Sequence, residues 1–365
     1  MASEASNRGA FLIQEHYCSN NGAPIYARLC VAAAGLTRDT AIGARILDWP
    51  GEPTRDALPL RLMGGLHALV RAGGDAELAE IFAGRMTDQD TIEAVLARVL
   101  AQHEAAIAPW LDGPPQTNEP GRSAGLMLGL LEIARAHGPK IELLEIGSSA
   151  GLNLLIDRYR YDLGGTMVGP ADSPVTIRPE WSGPPAPAVP IEIVSVRGCD
   201  VSSMDATDAV VESRLSAFVW PENPERLVRL SGAIAMLRAQ GVRLDHADAA
   251  DWIEARLAEP QAAGVTRVLM HSVVWQYLPD AVADRVRAAM LAAGERATAE
   301  RPIGWVAMEP DRALAHQVIR ARSWPGDGEW QLLATAHPHA AWVDTALGGE
   351  AGPGIDLPEA ARIRV

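Results

Sequence analysis

The chain has 365 residues, 48% of them apolar, and a formal charge of -14 at neutral pH. That length can bury a large core as one big domain or two ordinary ones, and the acidity opposes binding to phosphate backbones or anionic bilayers. Nucleic acid and membrane are therefore excluded as expected partners, and a small molecule is the expected one.

Residues 1–138 read as helix after helix. Apolar residues fall at helical spacing around Phe11, Leu12, His16 and Cys18, then over 25–34, 58–70, 76–82 and 91–110, and Gly/Pro breaks near 20–24, 49–53 and 113–115 separate them. No strand is expected in this amino-terminal cap region. From Lys140 the pattern changes to β-prone runs alternating with helical ones, with strands predicted over 141–146, 191–196, 242–246, 267–271 and 303–308. This is the order of a parallel sheet covered on both faces. A last pair, 330–336 and 341–344, is separated only by "HPHA" and reads as an antiparallel hairpin at the sheet edge. A Gly/Pro-rich segment at about 162–190 reads as an insert, a hairpin plus a linker, within a second domain of residues 139–365.

The opening "MASEASNRGAFL" has neither a basic stretch nor an apolar run, so export is not expected and a cytoplasmic protein is. Cys18, Cys30 and Cys199 are odd in number and none belongs to a C-x-x-C pair, which predicts reduced thiols. The sequence leaves the oligomeric state open.

The stretch "ELLEIGSSAGLNLLIDRY", residues 142–159, is a strand that breaks on glycine and serine and restarts with helical spacing. G-x-G-x-x-G would need glycine where Ser149 and Leu152 stand, and no lysine follows as in a P-loop. G-x-S-x-G does match, with Ser149 as nucleophile and His337 or His339 late enough to be its base. Such an elbow normally follows several strands, whereas everything before Ile141 reads as helical. The other use of such a turn is a cofactor cradle formed by Glu145, Gly147, Ser148, Ser149, Gly151 and Asn153. Ligands of open α/β sheets sit beyond the carboxyl ends of the strands. Asp200 follows the second predicted strand, placed for ribose hydroxyls, and Asp248 with the Ala249 N–H follows the third, placed for an adenine edge. The plainer reading of Asp200 is a turn residue and of Asp248 a helix cap.

With these residues in place, the core resembles class I S-adenosylmethionine-dependent methyltransferases. Through "QTNEPGRSAG", "LLEIGSSAGLNLLIDRYRYD", "RGCD", "HSVVWQYL" and "ATAHPHAAWV", the chain looks like a bacterial family catalogued only as domain of unknown function 2332. The resemblance runs from Leu58 onward. It implies an α/β fold with a doubly wound, mostly parallel, Rossmann-like sheet of methyltransferase type, bound S-adenosylmethionine, and no established reaction. The chain departs from methyltransferases in reading G-S-S-A-G, where a further central glycine is more usual, and in the insert between Gly151 and Asp200.

"HSVVWQYLP" follows the fourth predicted strand and faces the reacting end in such a fold. His271 and Tyr277 are the catalytic candidates, His271 as a base near neutral pH, with Trp275 as a stacking wall. A core histidine with packed aromatics is the plainer reading. Glu119 and Arg122 are substrate-binding candidates, as is Glu309 in "MEPD". Their bland counterparts are a surface ion pair and a favourably charged helix start. "AHPHA" offers two imidazoles but no third ligand in register, so no metal is expected. The expected activity is methyl transfer to a small molecule. The rivals are a serine hydrolase at Ser149 and a non-catalytic cofactor-binding protein of the same fold.

Overall fold

The computed structural model describes residues 3–311, 314 and 316–346, which form two compact units. One comprises residues up to Thr117 together with Asp208–Val228, and the other Asn118–Thr207 together with the chain from Arg229 onward. Residues 347–365 of the expected second domain lie outside the described residues.

The first unit is helical because its apolar residues recur every three or four positions and its helix starts are capped. It contains α1 (Glu4–Asn20), α2 (Pro24–Ala34), α3 (Ala41–Leu47), α4 (Leu58–Arg71), α5 (Ala76–Phe82), α6 (Gln89–Gln102) and α7 (Glu104–Ile107). Ser3, Thr40, Asp75 and Asp88 each accept a backbone N–H of the first turn that follows, and Pro24 opens α2. Phe11, Leu29, Ile46, Leu62, Leu66, Leu96 and Val99 fill the core. The single helix predicted over 91–110 breaks at His103, where the backbone leaves helical angles (φ -118°, ψ 27°).

The second unit opens with α8 (Ser123–His137) and β1 (Lys140–Ile146). The insert follows: β2 (Arg160–Leu163), β3 (Thr166–Val168), β4 (Thr176–Ile177) and β5 (Glu180–Ser182). β2, β3 and β4 make a small sheet of their own, and β5 joins the edge of the main one. After β6 (Glu192–Asp200) the chain returns to the helical unit for α9 (Ala209–Ala217) and the start of α10 (Pro224–Gln240). Gly64 of α4 leaves room there for Phe218, whose ring would lie 2.4 Å from any added Cβ. The remaining elements are β7 (Leu244–His246), α11 (Ala249–Ala258), β8 (Thr266–Ser272), α12 (Asp280–Glu295), β9 (Ile303–Asp311), β10 (His316–Trp324), β11 (Gln331–Ala336) and β12 (Trp342–Asp344).

The main sheet has nine strands in the order β5-β12-β11-β10-β9-β8-β1-β6-β7. β7, β6, β1, β8 and β9 are the five predicted strands, and all are parallel. β10, β11 and β12 continue the sheet antiparallel, each to the strand before it. α8 lies on one face, where Gly125 and Gly129 allow close contact with Ile319 and Val306. α11 and α12 cover the other, with Ile253, Val286 and Met290 against Leu144, Leu269 and Trp305. β8 is buried at every residue, as expected of a strand covered on both sides, with apolar Val268, Leu269 and Met270 at its centre and polar residues at its ends.

Two sequence expectations fail here. No strand is expected over 316–324, yet β10 forms there, and its Arg320 is buried and pairs with Asp311 on β9 at 3.0 Å. The helix predicted after the glycine turn is only a 3-10 turn, Leu152–Leu155. The Leu152 carbonyl, which a helix would give to Ile156, accepts the Tyr159 hydroxyl at 2.6 Å instead, and the Ile156 carbonyl accepts that of Tyr161 at 2.9 Å. Side-chain donors thus take the acceptors that helix propagation requires.

Among the described residues no helix is long and apolar enough to cross a membrane, and no group of three or more His, Cys, Asp or Glu side chains is arranged to hold a metal. All three cysteines are buried and unbridged.

Candidate functional site

The strand order reverses between β1 and β8, since the chain passes from β1 to β6 on one side and later places β8 on the other. The glycine turn lies at the carboxyl end of β1, at this point. Gly147 (φ 68°) and Gly151 (φ 78°) both take left-handed angles, and so does Ser149 (φ 55°). The turn is tied to β6: the Ser148 N–H donates to the Cys199 carbonyl at 3.0 Å, and the Ser149 N–H to Asp200 Oδ2 at 2.8 Å. Asp200 Oδ1 accepts from the Ser202 N–H at 2.7 Å, so this carboxylate clamps the turn to the loop after its own strand.

Beneath the turn, Glu145 is 1% exposed. Its Oε1 accepts from Asn153 Nδ2 at 3.3 Å, while its Oε2 is buried with no partner, as is Asn153 Oδ1. Burial pushes the carboxyl up to about 7, against the hydrogen bonds from Ser148 and Asn153 that favour its charged form. Glu145 Oε2 and Asn153 Oδ1 are thus two buried acceptors without a protein donor beside the glycine turn.

A second group forms one strand over. His271 on β8 and Glu309 on β9 are fully buried, with His271 Nδ1 2.7 Å from Glu309 Oε1. The same oxygen accepts the N–H groups of Val274 (3.1 Å) and Trp275 (3.3 Å). Trp275 stacks on the imidazole at 5.2 Å, and Trp305 meets its edge. In register, Glu145 pairs with Met270, so His271 projects to the opposite face of the sheet. The two groups meet where Gly147 touches Val274: a Cβ on Gly147 would lie 2.2 Å from Val274 Cγ2. Gly147→Ala is therefore expected to destabilise the protein by about 1–3 kcal/mol through overpacking together with its left-handed backbone angle, read as a lower urea midpoint. An unchanged midpoint would mean that Val274 moves aside freely.

The sequence model of a family described as an uncharacterized protein conserved in bacteria, DUF2332, matches residues 8–345. The chain belongs to the DUF2332 family. No curated protein and no solved structure matches it.

The other candidate residues of this DUF2332 chain have these partners. Asp248 caps α11, its Oδ1 accepting the Ala250 (2.9 Å) and Asp251 (3.2 Å) N–H groups, with Ala249 as the buried first helical residue. Glu119 is buried and binds Arg229 Nε and Nη2 at 2.9 Å and the Gly121 N–H at 2.9 Å. Arg122 is also buried, and its Nε donates to the Pro338 carbonyl at 3.0 Å, within "HPHA". Tyr277 is 72% exposed at the end of the turn that carries Trp275. Ser149 makes its contacts through its backbone, and among the described residues no hydrogen bond joins its hydroxyl to a histidine.

Sequence reasoning missed Asn118, whose Oδ1 accepts the Leu152 N–H at 2.9 Å and so holds the far side of the glycine turn. It reads as a helix cap from its neighbours, and the partner 34 residues away leaves no local signal. Glu309 likewise reads as a substrate contact from "MEPD", whereas in the structure it binds His271.

Proposed function

We propose that the chain is an S-adenosylmethionine-dependent methyltransferase acting on a small molecule. The observation that carries this reading is the pair of donorless buried acceptors, Glu145 Oε2 and Asn153 Oδ1, under a glycine turn at the point where the strand order reverses. Numbered along the chain, the parallel strands run 3-2-1-4-5, the order of doubly wound nucleotide-binding sheets, which hold ligands at that crevice. The residues present suit the cofactor. Glu145 and Asn153 would take its ammonium donors, the backbone at Gly147–Gly151 would approach it closely, and the free lone pairs of Asp200 would face ribose hydroxyls. When bound, the cofactor supplies an electrophilic methyl group. This chain's part is to orient the acceptor, exclude water and take up a proton.

Titration calorimetry with S-adenosylmethionine and S-adenosylhomocysteine is the test. Micromolar binding is expected, weakened by about tenfold or more in Asp200→Ala, which frees the Ser149 end of the turn. No binding at millimolar ligand by a folded protein would sink the reading.

One observation favours a second reading. Ser149 holds a left-handed angle at the centre of G-x-S-x-G, as a strained nucleophile does. A serine-reactive fluorophosphonate labelling the wild type and not Ser149→Ala would favour a hydrolase.

A further inference from the structure

His271 and Glu309 form a buried dyad whose open end has a definite chemistry. Glu309 Oε1 receives two peptide N–H groups as well as the imidazole, so it acts as an acceptor and the proton of the 2.7 Å contact belongs to His271 Nδ1. In the neutral ring Nε2 then carries a lone pair, and this atom is buried with no partner. Trp305, whose ring lies 6.1 Å from the imidazole, has its Nε1–H buried without an acceptor. A vacant acceptor and a vacant donor in one aromatic cluster suit a hydroxyl, which donates one hydrogen bond and accepts another.

The imidazole is covered on one face by Trp275, which stands on a single 3-10 turn, Trp275–Tyr277. Two hydrogen bonds to Glu309 hold the start of this turn. Just before it, Val273 has φ 54°, a left-handed angle that a β-branched residue adopts only under strain. The covering turn therefore stores strain while it is closed, and within two residues of Trp275 it reaches the exposed Tyr277.

We propose that His271 is the base for a planar, hydroxyl-bearing acceptor such as a phenol, that Glu309 is its positioning residue, and that Trp275 yields its place over the imidazole when the acceptor enters. The acceptor O–H bond breaks, its proton passes to Nε2, and its electron pair stays on oxygen. The resulting imidazolium lies against the Glu309 carboxylate and returns its proton to water when the turn opens. The inference rests on the methyltransferase reading only for the later fate of that oxygen.

NMR of the histidine nitrogens in the full chain tests it, with His271→Asn assigning the resonances and phenol and anisole as probes. The expected result is a ring protonated on Nδ1 whose Nε2 resonance shifts with phenol and not with anisole, which keeps the ring and the oxygen but carries a methyl group in place of the proton. Trp275→Ala should respond at about tenfold lower phenol concentration, because the cover is gone. Glu309→Gln should lose the single tautomer. A ring protonated on Nε2, or no phenol response in either wild type or Trp275→Ala, would overturn the proposal and leave a structural histidine. Cofactor calorimetry separates the two readings. A phenol response without cofactor binding keeps the base and discards methyl transfer, and binding without a phenol response discards the base alone.

Discussion

Glu145→Gln is expected to stabilise the ligand-free protein at pH 8 by on the order of 3 kcal/mol and, on the proposed methyltransferase reading, to abolish cofactor binding. The carboxyl titrates at about 7 in the folded chain, against 4.5 as its ordinary value, chiefly because burial disfavours its charge. A raised acid means that between pH 4.5 and about 7 the folded state keeps a proton that the unfolded state has lost. Stability from this group is thus greatest at low pH, falls as the pH rises through that window, and levels off above it. Glutamine has the same shape and never charges. Urea unfolding at pH 5 and pH 8 should show the variant nearly equal to the wild type at the lower pH and more stable at the higher. The same charge would answer the cofactor's ammonium, so wild-type affinity should drop as the pH falls below about 7. An equal difference between wild type and variant at both pH values would show that the carboxylate is already compensated in the ligand-free fold. Retained binding would remove Glu145 from the cradle.

Arg267→Met should cost about 2–4 kcal/mol, because several acceptors lose a charged donor at once while Glu142, partly exposed, can turn to water. Arg267 is 2% exposed on β8. Its Nε donates to Glu142 Oε2 on β1 at 2.9 Å, its Nη1 to the Arg256 and Glu259 carbonyls at 2.9 Å, and its Nη2 to the Pro260 carbonyl at 3.0 Å. One guanidinium therefore binds the two central strands together and satisfies the carbonyls at the end of α11. Methionine fills much of the volume but strands all four acceptors. Arg267→Lys should recover only part of the loss, because an ammonium lacks the planar fork that reaches both sides. The denaturation midpoint should drop with its slope unchanged. A loss below about 1 kcal/mol would show that water replaces the guanidinium without penalty.

The candidate site residues divide along the same line as the fold. Glu145, Gly147, Ser148, Ser149, Gly151 and Asn153 stand close in sequence, and their placement at a strand end followed from local pattern alone. Asp200 reaches them because β6 is the next parallel strand beside β1, as alternating strands and helices suggested. The contacts that decide their chemistry are long-range: Asn118 to Leu152, Ser149 to Asp200 and His271 to Glu309.

By itself the sequence determined a helical amino-terminal part, five parallel strands with an antiparallel continuation, and a glycine turn at the end of the first strand. Each of these is written in local spacing. A strand covered on both faces carries an apolar centre, a packed helix must repeat its apolar residues, and a left-handed turn favours glycine. Only the tertiary structure decided that Asp208–Val228 joins the helical unit, that the arginine-bearing β10 is a strand, and that tyrosine hydroxyls end the helix expected after the turn. It also decided that Glu309 serves His271. In the last three of these a polar group is buried against a specific partner, 5 to 9 residues away for the tyrosines and Arg320 and 38 for Glu309, and its role is set by that partner, which no periodicity in its own neighbourhood records.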